Sequence, residues 1–90
     1  MEKVEIINVN GKIVETKPNN GKSFTLKEMQ NIVGGNIEIV RSKDGRMLVI
    51  NEEGKLEGLA INSKATELYK YGSQDNIVGT VLISPEEFIK

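Results

Sequence analysis

The chain has 90 residues, 38% of them apolar and only 4% aromatic, with no tryptophan, cysteine or histidine. That length suits a single domain over residues 1–90, and the composition excludes disulfides, thiolate metal sites and imidazole-based catalysis. Twelve basic and thirteen acidic residues leave a net charge of −1, which argues against a sequence-specific nucleic-acid binder.

The core must be aliphatic, and a chain this short buries only about 60–65% of its unfolded surface. A second subunit is one way to cover what remains, so a homo-oligomer is one expectation. MEKVEIINVNGK carries no apolar leader region and no run approaches a membrane span. A cytoplasmic protein without a membrane partner is expected.

Lys3–Val9 is rich in valine and isoleucine and reads as a strand. Asn10-Gly11 and Lys12–Thr16 follow, which predicts a hairpin with both turn residues at positive φ. Lys17–Lys22, KPNNGK, reads as a solvated connection with some mobility. Thr25 and Glu28 then form a capping-box pattern, and Leu26, Met29, Ile32 and Val33 fall on one helical face. Gly34-Gly35 ends this helix of eight or nine residues.

NIEIVRS (36–42) and RMLVIN (46–51) predict a second hairpin around Lys43-Asp44-Gly45. A two-residue Asp44-Gly45 turn would set Val40 opposite Val49 and Ile39 opposite Ile50. Asn62 is placed as an N-cap for a helix over Ser63–Tyr71, closed by Gly72. Ile77–Ile83, IVGTVLI, reads as a strand buried on both faces, with Gly79 marking a bulge or a close backbone approach. Ser84-Pro85-Glu86-Glu87 predicts a last helical turn with serine as N-cap, folding Phe88 and Ile89 back onto the body. The order is β-β-α-β-β-α-β. The class is α+β, with an antiparallel or mixed sheet, helices packed on one side and a short C-terminal helical turn.

Serine, threonine, lysine and tyrosine remain as nucleophiles, but no nucleophile elbow, Ser-x-x-Lys or Walker lysine accompanies them. Adjacent Glu52 and Glu53 point apart on a strand or turn, and NEEG lacks the spaced oxygens of a calcium loop. The expectation is therefore a non-enzymatic protein without a cofactor or a metal. Three features could bind. Asn62, Ser63 and Lys64 stand at a helix start that attracts anions, although a capped helix would satisfy the same amides itself. Arg41 and Arg46 flank a cationic hairpin tip, which a solvated, aggregation-resistant edge would also explain. Asn51 and Glu52 open the segment NEEGKLEGLAINSKAT (51–66), where glycines, acids and an N-cap stand together and Leu56, Leu59 and Ile61 could anchor it.

IVGGNIEIV, DGRMLVINEEGKLEGLAIN and NIVGTVLI resemble an uncharacterised family of small proteins of phages, plasmids and their bacterial hosts, a domain of unknown function. The matching residues are Val33-Gly34-Gly35, Ile37-Glu38, Asn51–Gly54, Gly58-Leu59, Asn62, Ala65-Thr66 and Ile77-Val78-Gly79, across Ile32–Ile83. Ala60 stands in place of the family's proline and Thr80 in place of its common aspartate. The resemblance implies a fold and a mobile-element context, and no activity. The expected function is sequestration of a signalling nucleotide or other phosphate-bearing small molecule. The alternatives are an adaptor or inhibitor docking on a host protein, and a structural domain without a small-molecule ligand.

Overall fold

The computed structural model describes residues 3–89. Along the chain run β1 (Glu5–Ile7), β2 (Ile13–Glu15), α1 (Leu26–Val33), β3 (Ile37–Arg41), β4 (Met47–Asn51), α2 (Ser63–Leu68), β5 (Val81–Ser84) and a 3-10 turn (Glu86–Phe88). The strands form one sheet in the order β2-β1-β5-β4-β3, with every neighbouring pair antiparallel. The α+β class and the order of elements are those the sequence predicts.

The last strand, β5, is inserted at the centre, between the two hairpins. Its four residues are all buried, as are Met47, Leu48 and Val49 of neighbouring β4. Apolar side chains on both faces of a strand need a cover on both faces. This corrects the expectation of helices on one side. Val49 and Leu82 pack with Phe24, Met29 and Val33 under α1. Leu48, Val81 and Ile83 point the opposite way and pack with Ile7, Ile77 and Ala65 of α2. Full burial of each Leu or Ile contributes about 1.5–3 kcal/mol, so both layers are needed to hold the sheet.

Both hairpins use one device, and it differs from the expected two-residue turn. The Asn8 amide donates to the Lys12 carbonyl and the Gly11 amide to Asn8; the Ser42 amide donates to Arg46 and the Gly45 amide to Ser42. Each loop therefore has three residues, with only its glycine at positive φ, 90° at Gly11 and 91° at Gly45. Asn10 and Asp44 keep negative φ and use their side-chain oxygens to accept the Lys12 and Arg46 amides. In the second hairpin this moves the register by one residue. Ile39 pairs with Val49 and Val40 with Leu48.

Helix α1 has its capping box: Thr25 accepts the Glu28 amide and Glu28 accepts the Thr25 amide. Glu28 also accepts the Asn19 amide, which ties the 17–22 loop to the helix. These amides, Thr25 first, hold the Glu28 carboxyl below its ordinary pKa. Met29 and Val33 are buried, while Leu26 in the first turn stays exposed.

Helix α2 is shorter than its periodicity implies, ending at Leu68 rather than Tyr71. There the backbone turns to the sheet instead: Lys43 donates to the Leu68 carbonyl, Lys70 to the Arg41 carbonyl, and Tyr69 bridges Ser42. The apolar run 77–83 is split at Gly79 (φ 80°). Val78 bridges Ile61, and only Val81–Ser84 enters the sheet. Ser84 is the last strand residue rather than an N-cap, its hydroxyl donating to the Pro85 carbonyl. Phe88 and Ile89 pack beneath α1 as expected.

Candidate functional site

The 51–66 segment owes its shape to two buried asparagines. Asn51, 4% exposed, ends β4; its amide donates to the Val33 carbonyl and its oxygen accepts the Glu53 amide. Asn62 is fully buried. Its amide donates to the carbonyls of Ile7 (3.0 Å) and Gly79 (2.8 Å), and its oxygen accepts the Ala65 amide. Between them the chain makes tight turns, the Gly54 amide donating to Asn51 and the Leu59 amide to Gly54. A Cβ on Gly54 would lie 2.8 Å from the Val78 side chain, so the segment packs directly against residues 77–79.

The seven residues singled out in the sequence fall in three places. Asn51 and Glu52 stand at the end of β4, with Asn51 facing α1 and Glu52 exposed beside the α2 face. Asn62 is a buried cap whose side-chain hydrogen bonds are made internally, and Ser63 and Lys64 are exposed at the start of a six-residue helix. Arg41 is exposed and shares its face with Ile39 and Met47, the face turned to α1. Arg46 folds back onto the sheet. Its side chain is 11% exposed, ion-pairs with Asp44 at 2.8 Å and Glu5 at 3.7 Å, and donates to the Lys3 carbonyl.

That network makes the hairpin tip a brace between β3-β4 and β1. The Arg46 side chain, then the Ser42 hydroxyl and the Arg46 amide, hold the Asp44 carboxyl well below its ordinary pKa. The gain is therefore present above about pH 4, the unfolded value, and is lost as pH falls toward the lower folded value. Asp44 is part-exposed, so solvent screening limits the effect. Asp44→Asn should cost about 1 kcal/mol at pH 7 and flatten the decline of stability below pH 4, as read by urea titration at pH 7 and at pH 2.5.

A cavity of about 150 Å³ opens on the α2 side of the sheet. Val40, Ile50 and Ile77 supply apolar lining, with Tyr69 and Glu38 beside them. At the mouth stand Glu52, the Lys55–Asp75 ion pair, and Leu56, which is 90% exposed. The Lys55 side chain holds the Asp75 carboxyl below its ordinary pKa. Glu38 and Glu52 make no ion pair among the described residues. Tyr69 and Asp75 are not among the candidate binding residues of the sequence, and Glu38 enters there only as a residue of the family resemblance. Alternation puts Glu38 and Val40 on one face of β3, but nothing local says that α2 and residues 75–78 border it.

Beside this cavity β3 is one of the two open edges of the sheet, β2 being the other. The Glu52 amide donates to the Asn36 carbonyl and the Ser42 amide to Arg46. Antiparallel alternation then aims the amides and carbonyls of Ile37 and Ile39 away from β4. The next outward carbonyl, Arg41, is taken by Lys70. Ile37 and Ile39 thus offer two unpaired ladder positions beside a small pocket. Among the described residues no group of three or more carboxylates could hold a metal ion, and no helix is long and apolar enough to cross a membrane.

A family model described as a domain of unknown function, DUF3846, matches residues 2–87, well beyond the Ile32–Ile83 stretch that carries the resemblance. No curated protein and no solved structure matches the chain.

Proposed function

The chain belongs to the DUF3846 family, a domain of unknown function, and from that premise we propose a non-enzymatic binding protein whose β3 edge docks an extended segment of another protein. In the mobile-element setting implied by the resemblance, that partner is a host protein. The observation carrying this reading is the pair of open ladder positions, Ile37 and Ile39, beside the 150 Å³ cavity. Strand addition draws affinity from main-chain hydrogen bonds and specificity from pockets that take alternate side chains.

Nucleotide sequestration has less support. Small-molecule sites have volumes of about 300–1,000 Å³, and this cavity is about half the lower bound. Arg46 is already engaged by Asp44 and Glu5. A nucleotide would require a second subunit to complete its enclosure. Native mass spectrometry of the purified protein reads both subunit number and retained small molecules.

Proline at position 39 tests the docking reading. It removes an amide hydrogen that the native ladder does not use, a substitution tolerated on edge strands. Ile39→Pro should retain a cooperative thermal transition and lower capture of a stoichiometric partner from host lysate at least about tenfold. Equal capture by the folded variant would refute docking at β3.

A further inference from the structure

Resting on the β3 docking reading, we infer that the docked segment carries a lysine or arginine whose stem enters the cavity and whose charge lies between Glu38 and Glu52. Both carboxylates lie on the cavity side of the sheet, Glu38 opposite Ile50 and Glu52 one ladder step beyond it, next to Asn36. Neither has an ion-pair partner among the described residues, whereas Asp75 is matched by Lys55. The mouth is left with two uncompensated negative charges above a floor of Val40, Ile50 and Ile77. A long cationic side chain meets both demands, laying methylenes on the floor and its charged head at the rim.

The same charges disfavour a second copy of this chain at the edge. In the antiparallel register that uses both open positions of each copy, Ile37 pairs with Ile39 of the other copy. Glu38 then stands directly opposite its own equivalent, and like charges in that position repel. A segment with a cation opposite Glu38 turns the repulsion into attraction.

The probes are four blocked seven-residue peptides of alternating threonine and valine with lysine, arginine, leucine or glutamate at the centre. They are titrated against the full chain while the backbone amide signals of Ile37 and Ile39 are followed. The lysine and arginine peptides should bind about tenfold more tightly than the glutamate peptide at low salt. That ratio should shrink toward one in 1 M salt. Glu38→Lys should invert the order, and Glu38→Gln, a neutral change at an exposed position, should narrow it to within about threefold. A leucine peptide that binds best, with an order unchanged in both variants, would overturn the cation assignment while leaving β3 docking in place. Failure of all four peptides to bind, or binding unaffected by Ile39→Pro, would overturn the docking reading itself.

Discussion

Asn62→Ala should lower stability by about 4 kcal/mol and the melting temperature by roughly 20 °C, a loss as large as that of truncating a core leucine. The side chain is fully buried and joins three parts of the fold: the Ile7 carbonyl in β1, the Gly79 carbonyl before β5 and the Ala65 amide in α2. Its removal leaves the Gly79 acceptor and the Ala65 donor without partners in the interior, each at about 1–3 kcal/mol, while the Ile7 carbonyl, paired with Val81 across the sheet, loses only its second bond. Against a total of about 5–15 kcal/mol for a domain of ordinary stability, that is a large fraction.

Asn62→Asp sharpens the test. A carboxylate would face two carbonyl oxygens and have no proton to offer either, so burial must raise its folded pKa. A folded pKa above the unfolded value makes the penalty grow as pH rises past about 4. The aspartate variant should therefore lose more stability relative to wild type at pH 7 than at pH 4. Urea titrations at the two pH values check it, and an equal loss at both would mean that the carboxyl escapes to solvent.

Gly72→Ala is the second large effect, at about 3 kcal/mol. After α2 the chain doubles back so closely that a Cβ at position 72 would overlap the Thr66 carbonyl oxygen. That atom belongs to the helix backbone, so relief requires moving α2 or its exit rather than rotating a side chain. Gly11→Ala is the control: its φ is positive, yet nothing lies within 4 Å of the added methyl, so only about 1–2 kcal/mol of backbone strain is expected. Chemical denaturation of both variants measures the difference. Near-equal values would mean that the 66–72 turn relaxes freely.

Much of the fold was legible because its signals are local. The Thr25–Glu28 capping box, the Asn62 cap and the glycine turns each act within four residues and appear where expected. Three-residue loops replaced two-residue turns because Asn10 and Asp44 can satisfy the backbone through their own side chains without positive φ. The early end of α2 was not legible. Leu68 and Tyr69 keep helical spacing, and only the competing partners offered by Arg41–Lys43 draw the backbone away. The candidate site was legible in part. Glu52 borders the cavity and Asn51 shapes its wall, but Arg46 and Asn62, read as binding groups, are engaged within the fold.

From its own residues the chain specified an aliphatic α+β protein, the type and order of its elements, and a chemistry without imidazole or thiol groups. Tertiary structure decided that β5 takes the centre, that α1 and α2 cover opposite faces, and that Glu38, Glu52 and Tyr69 meet beside an open edge. The division has one cause. Propensity, capping and turn chemistry act over a few neighbouring residues, whereas strand order and the face a helix covers depend on which apolar surfaces, far apart in the chain, bury one another best.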